Sequence, residues 1–205
     1  MKFSVILPSL LSDYPGAATG RDQKLIRAIR SVLDQTFQDF ELIIVADGCK
    51  LTEYIVRNMA RKEELPRKPE VVLLSVDRKE LWSNNARNAG IEAAAGEYIL
   101  YIDSDDRWAI EHLEMISEQL HGEDWVCFND YAITEDGFKE RDCDVSQYGR
   151  CGTSNICHTR RLNLLWEKTG YGHDFHFIQQ LRKFKNSKKI FTPGYYVCHI
   201  GNVSV

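Results

Sequence analysis

No stretch of this 205-residue chain is long and apolar enough to cross a bilayer. The apolar run at the amino terminus, Phe3 to Leu7, ends at Pro8 and is too short for a secretory h-region. The chain therefore reads as soluble and cytoplasmic, with no encoded address and no integral membrane segment. No two cysteines have the C-x-x-C spacing, which argues against a zinc ribbon or a thioredoxin-like redox pair. Cys49, Cys127, Cys143, Cys151, Cys157 and Cys198 read as reduced thiols, with a Cys143–Cys151 pairing left open. There is no excess of basic residues: 26 Lys and Arg against 30 Asp and Glu leave a net charge of −4, which excludes a nucleic-acid binder that works by bulk electrostatics. A chain of this sign binds an anion through a local device such as a metal ion or a helix N-terminus. No G-x-G-x-x-G follows the first predicted strand, so a dinucleotide-binding dehydrogenase is poorly supported. Repeats, low-complexity tracts and composition shifts are also missing, which points to one domain over residues 1–205.

What is present is a regular alternation. Phe3 to Leu7, Phe40 to Ala46, Val71 to Val76 and Tyr98 to Ile102 are short apolar runs that read as buried strands. Between them, Leu25, Ile29, Val32 and Leu33 fall at helical spacing, with Asp22 or Thr19 as candidate cap. Further helices are predicted over Thr52 to Lys62, Ser83 to Ala95 with Gly96 closing it, and Ala109 to Leu120. Leu10 to Gly20 reads as a loop. Strand and helix in strict alternation predict an α/β fold: a mostly parallel, Rossmann-like central sheet with helices on both faces. The second half is less regular. Trp125 to Phe128 and Asn155 to His158 read as strands, Tyr131 to Lys139 as a hairpin around Asp136-Gly137, and Ile190 to Ile200 as extended. Arg161 to Lys168 and Phe175 to Phe184 read as helices, and the basic run Lys183 to Lys189 as a solvated helix end.

In such sheets ligands bind beyond the carboxyl ends of the strands. Those positions hold Pro8-Ser9, Asp47-Gly48, Asp77 and Asp103-Ser104-Asp105-Asp106. If the strand geometry continues, Asp103 and Asp105 point to one side, and two close carboxylates are naturally compensated by a divalent cation, Mg²⁺ or Mn²⁺ for hard oxygen ligands. A helix cap at Asp105 or Asp106 explains the motif equally well on its own.

The surroundings decide between these. Val5-Ile-Leu-Pro-Ser9, Ala28 through Phe40 to Gly48, Asn85-Ala-Arg-Asn through Gly96 to Asp106, and more weakly Gly170-Tyr-Gly-His-Asp174 occur in the order, and with the residues, that resemble glycosyltransferase family 2, the GT-A inverting enzymes. The first three segments lie within residues 1–106. The resemblance implies a GT-A fold with a nucleotide-sugar-binding half, 1–106, and an acceptor and catalytic half, 107–205. It implies that Pro8 and Ser9 line the nucleobase pocket and that Asp47 accepts from the uracil imide N–H. Arg87 and Asn88 lie where the family places residues near the nucleotide, with a buried structural amide an equal reading for Asn88. Asp103, with Ser104 beside it, approaches the ribose or the donor sugar. Asp105 binds the metal, with His199 as a late histidine ligand. Asp174 is the implied general base, although His173 stands where the family commonly has Glu, which leaves acceptor recognition open.

The implied function is a Mn²⁺- or Mg²⁺-dependent transfer of sugar from a nucleoside diphosphate sugar, UDP preferred, to an unknown acceptor hydroxyl. The competing readings are a sugar-phosphate nucleotidyltransferase and a non-catalytic nucleotide-sugar-binding module. The Leu10 to Gly20 loop lacks the dense Gly-rich basic pattern of the former.

Overall fold

The computed structural model describes residues 1–12, 19–79, 83–167, 170–192, 194–200 and 203–204, the last four of the strand residues at the carboxyl end (199, 200, 203 and 204) by backbone alone. The first half alternates as expected: β1 (Phe3–Ser9), α1 (Arg21–Leu33), β2 (Phe40–Asp47), α2 (Lys50–Arg61), β3 (Glu70–Val76), α3 (Asn84–Ala93) and β4 (Tyr98–Tyr101). The second half holds β5 (Arg107–Trp108), α4 (His112–Gln119), β6 (Trp125–Phe128), β7 (Asp130–Thr134), β8 (Gly137–Arg141) and β9 (Ile156–Thr159). It continues with α5 (His173–Leu181), β10 (Ser187–Ile190), β11 (Tyr195–Val197), β12 (His199–Ile200) and β13 (Val203–Ser204).

A seven-stranded sheet runs β10-β6-β9-β4-β1-β2-β3, with β4, β1, β2 and β3 mutually parallel and β9 antiparallel to both its neighbours. β1 and β2 are buried along their whole length, because helices cover both faces. Alternate residues serve opposite faces. Val5, Leu7, Leu42 and Ile44 pack with Leu25, Ala28, Ile29 and Val32 of α1, while Ile6, Ile43 and Val45 pack with Ala86 and Ile91 of α3 and with Phe177, Ile178 and Leu181 of α5. A four-stranded sheet, β5-β11-β7-β8, stands beside it. All six cysteines are unpaired and buried, and no described helix is long and apolar enough to cross a membrane.

Several boundaries differ from the sequence reading. Residues 161–167 form no α-helix: a 3₁₀ turn at Arg160–Leu162 stops at Asn163, which is left-handed (φ 49°). The segment beyond is held by Asn88, which donates to the Trp166 carbonyl and accepts its N–H, while the Trp166 indole stacks on Phe177; Lys168 lies outside the described residues. The helix expected from Ala109 starts only at His112, because Arg107 and Trp108 are held extended against Tyr195 and Tyr196. α1 is capped by the left-handed Gly20 rather than by a side chain. Within the Lys183 to Lys189 run, Ser187 to Lys189 belong to an edge strand paired with β6, not to a helix end. α5 begins two residues early, which puts His173 and Asp174 in its first turn.

Gly96 is not the cap of α3, which is Ala94. Its N–H donates to Ser4 Oγ (2.8 Å), and the buried Glu41 carboxylate collects Ser4 Oγ (2.5 Å) and the N–H groups of Ala95 (2.7 Å) and Gly96 (3.3 Å). A Cβ on Gly96 would lie 2.6 Å from the main chain of Phe3 and Ser4. Gly96→Ala is therefore expected to destabilise the fold by about 1–3 kcal/mol, the usual penalty of overpacking against backbone. Urea denaturation measures it, and an unchanged midpoint would show that the loop relaxes freely.

Candidate functional site

From β1 the sheet grows outward through β2 and β3 on one side and to β4 on the other, so the strand order reverses between β1 and β4. Adjacent crossovers leave opposite faces at that point and open a crevice beyond the strand ends. A cavity of about 590 Å³ lies there. Pro8 from β1 and residues Asp103 to Asp106 after β4 form one side, with Arg87 of α3; Thr153 and Asp174 line it as well.

β4 ends at Tyr101, and the chain turns through Asp103–Asp106, closed by the Asp106 N–H donating to the Asp103 carbonyl (3.1 Å). Neither Asp105 nor Asp106 caps a helix. Asp106 is buried and accepts from the Tyr195 hydroxyl (2.8 Å) and the Cys198 N–H (2.7 Å). The same Tyr195 oxygen accepts the Asp103 N–H (3.0 Å), so one phenol fixes both ends of the turn. Burial, then the charges of Asp105 and Asp103, push the Asp106 carboxyl well above the usual carboxylate range. Asp103 is also raised, by burial and by Asp105 and Asp174, against the lowering effect of Arg87.

Asp105 differs from its neighbours. Its main-chain carbonyl accepts from Arg27 Nη2 (2.7 Å), while its carboxylate lines the cavity and has no hydrogen-bond or ion-pair partner among the described residues. Partly exposed hard oxygens beside two more carboxylates suit a divalent cation. Among the described residues no three His, Cys, Asp or Glu side chains form a ready metal cage. The expected second ligand, His199, has only its backbone described, in β12, and its side chain lies outside the described residues.

Arg87 is buried. Its Nη2 donates to Asp103 Oδ1 (3.2 Å), its Nη1 faces His173 Nε2 (3.2 Å), and its guanidinium lies over the Trp166 ring (4.9 Å). His173 Nδ1 faces the Gly170 carbonyl (3.2 Å), an acceptor only, so that nitrogen carries the hydrogen. Nε2 then accepts from Arg87 in the neutral ring, and in the protonated ring it donates to Asp174 Oδ1 (3.1 Å). Thr153 Oγ1 donates to the same Asp174 oxygen. Oδ1 is thus anchored, whereas Oδ2 has no partner among the described residues on this cavity wall. Burial raises the Asp174 carboxyl, but the hydrogen bond and charge of His173, the charge of Arg87 and the Thr153 hydroxyl outweigh it and hold the group below 3.8.

The structure thus gathers Pro8, Arg87, Asp103, Ser104, Asp105 and Asp174 at one cavity. Two predicted residues stand outside its wall. Ser9 is buried with its hydroxyl on Thr52 Oγ1 (2.8 Å), and Asp47 is buried at the end of β2. Gly48, next to Asp47, backs onto Arg78, which does line the cavity. Asn88 is half-buried, and its amide is committed to the backbone of Trp166, the structural role that was the alternative reading. Thr153, Ser154 and Arg141 line the cavity without having been predicted. No local pattern marks them, since they come from a 3₁₀ turn and an edge strand that only tertiary packing brings to the site.

Residues 17–187 match the family described as "Glycosyl transferase family 2". An uncharacterized glycosyltransferase of Nostoc sp. (strain PCC 7120 / SAG 25.82 / UTEX 2576) is 35% identical over 126 residues, covering 62% of this chain and 35% of the relative. The chain spans less than half the length of the curated relatives it matches. Among solved structures, S. aureus TarS 1-349 superposes with a TM-score of 0.74 at 18% identity, covering 96% of this chain and 60% of that one; the same protein has been solved with UDP-GlcNAc. A mannosyltransferase from Pyrobaculum calidifontis, in complex with GDP-Man and Mn²⁺, gives a TM-score of 0.65 at 14% identity and covers 95% of this chain and 56% of its own. At these identities the solved structures establish a shared GT-A fold.

Because the native Asp174 carboxyl lies below its unfolded value, it stabilises the fold above that unfolded value, and the stabilisation is lost as pH falls through the native one. Thr153→Val removes one of the groups that lower it, so the Asp174 titration is expected to move up and the acid tolerance to shrink. Carboxyl ¹³C NMR titration reads this directly, and an unshifted Asp174 curve would contradict the assigned contact.

Proposed function

The chain belongs to glycosyl transferase family 2, and on that premise we propose that it moves a sugar from a nucleoside diphosphate sugar, with UDP as carrier, to an acceptor hydroxyl, inverting the anomeric centre. The observation that carries this reading is the meeting, in one cavity at the sheet's switch point, of the Asp103–Asp106 turn with the open Oδ2 of Asp174. The complexes of the solved relatives with UDP-GlcNAc, and with GDP-Man and Mn²⁺, support the donor class and the cation.

In this reading residues 1–106 are the donor half. Pro8 borders the base. Ser9 and Asp47, which stand outside the cavity wall here, are the residues proposed to complete that pocket, Asp47 by taking the uracil imide N–H. Asp103 with Ser104 meets the ribose or donor sugar. Arg87 holds Asp103 in place from behind. Asp105 would hold Mn²⁺ or Mg²⁺, with His199 assigned as a further ligand. A bound cation supplies positive charge against the diphosphate that departs.

Residues 107–205 form the acceptor half. Asp174 is the general base. Thr153 and His173 fix its Oδ1, which leaves Oδ2 to receive the acceptor proton. A carboxylate held below 3.8 is ionised throughout the neutral range but is a weak base. It suits a proton that leaves while the new C–O bond forms and the hydroxyl turns acidic. A single displacement of this kind inverts the anomeric carbon. The six unpaired thiols support a reducing, cytoplasmic setting.

Two substitutions separate the roles. Asp105→Ala is expected to lose the part of UDP affinity that depends on Mn²⁺. Asp174→Asn is expected to keep UDP binding and to lose transfer or donor hydrolysis by about 10²–10⁴-fold, the usual worth of a general base. Calorimetry with UDP, with and without Mn²⁺, and product release from UDP-, GDP- and dTDP-sugars measure both. Wild-type turnover by the Asp174→Asn protein would remove the base from this scheme. Pyrophosphate release from UTP and a sugar phosphate would replace the scheme with nucleotidyl transfer.

A further inference from the structure

Arg141 closes β8 at the edge of the smaller sheet, in register opposite Asp130 of β7. Asp130 is fully buried, and it receives the arginine as a fork: Nε to Oδ1 (2.8 Å) and Nη2 to Oδ2 (2.5 Å). Asn155 Nδ2 (3.0 Å) and Ser154 Oγ (3.5 Å) reach the same Oδ2, and Asn155 Nδ2 also donates to the Phe128 carbonyl (2.9 Å). The carboxylate is therefore held from several elements, and it fixes the guanidinium plane in turn. Two of the three guanidinium nitrogens are spent on Asp130. The third, Nη1, has no partner among the described residues. The side chain is 45% exposed and lines the catalytic cavity beside Thr153 and Ser154.

Burying an aspartate is costly unless it is paired and hydrogen-bonded, and most of that cost disappears if the arginine is left on the surface without it. What the arrangement provides is a guanidinium whose rotamers are already restricted, with one donor nitrogen uncommitted among the described residues, on a side chain that lines the cavity. Such a donor matches the oxygens of a phosphate or carboxylate, and pre-ordering removes part of the entropy lost on binding.

We propose that Arg141, clamped by Asp130, is a substrate-anchoring residue that binds an anionic oxygen in the catalytic cavity. The anion is either the donor's diphosphate or an anionic group carried by the acceptor. The anchor rests on the reading of this cavity as the transfer site, and its test is separable from that reading.

Calorimetry with UDP and Mg²⁺, followed by inorganic phosphate titrated into the UDP complex, distinguishes the two sources. The proteins compared are wild type, Arg141→Lys, and the charge-neutral pair Asp130→Asn with Arg141→Gln, each checked by thermal melting. A loss of UDP affinity of about tenfold or more in both variants, the worth of one charge-assisted hydrogen bond, assigns the anchor to the donor. Unchanged UDP affinity, with phosphate binding to the wild-type complex and weakened about tenfold in the variants, assigns it to the acceptor. If folded variants match wild type in both titrations, the anchor is overturned and the pair serves only to neutralise Asp130. Should the variants not fold, the side-chain N–H signals of Arg141 in the wild-type protein decide. A shift on adding UDP or phosphate supports the anchor, and stationary signals overturn it. Failure of wild type to bind UDP at all would count against the proposed donor, and phosphate titrated into the free proteins would then test the anchor by the same comparison.

Discussion

Asp103, Asp105, Asp106 and Asp174 share one cavity, and the buried charge that makes this tolerable is the guanidinium of Arg87. It reaches Asp103 with one nitrogen and His173 with another, over the face of Trp166. Arg87 comes from α3, Asp103 from the turn after β4, His173 from the first turn of α5 and Trp166 from the segment before it. One side chain thus ties α3 to the turn after β4 and to the first turn of α5. Removing a buried partner of this kind leaves uncompensated charge, which is why the position cannot be treated as a surface arginine. Asn88, one residue later, serves the same end, since its amide pins the backbone of Trp166 against which Arg87 lies.

A second polar anchor works on the other side of the acidic turn. Tyr195 and the Cys198 N–H hold Asp106, and Tyr195 also takes the Asp103 N–H. With its neighbours committed inward, the carboxylate of Asp105 is left facing the cavity. The division of labour among three adjacent carboxylates follows from which oxygens the surrounding chain has already claimed. It does not follow from their spacing along a strand, because the strand has ended at Tyr101 before the first of them. The same logic governs Asp174, where one oxygen is taken by Thr153 and His173 and the other stays available.

The parallel half was legible because its signals are local. β-branched runs closed by Pro8, by Asp47-Gly48 and by the acidic turn mark strands buried on both faces, and the 3.6-residue spacing of Leu25, Ile29 and Val32 marks α1. The second half was less legible because its short strands are defined by partners far along the chain. Ser187 to Ile190 is a basic stretch that becomes a strand only by pairing with β6, and Arg107-Trp108 stays extended only because β11 lies against it. Arg161 to Glu167 has helical composition, yet Trp166 is buried in a stack on Phe177, and Asn88 supplies the hydrogen bonds of its backbone.

Sequence by itself determined the alternation of strands and helices in the first half, the end of the sheet at which the cavity opens, and the acidic turn beside it. Each of these is set by neighbours in the chain or by the handedness of parallel crossovers. Tertiary structure alone decided which carboxylate oxygens remain open, that Arg87 joins α3 to the acidic turn and to α5, and that Thr153, Ser154 and Arg141 join the cavity wall. Those outcomes depend on hydrogen bonds between residues up to 92 positions apart. A buried polar atom takes whichever partner folding brings to it, and the local sequence carries no record of that choice.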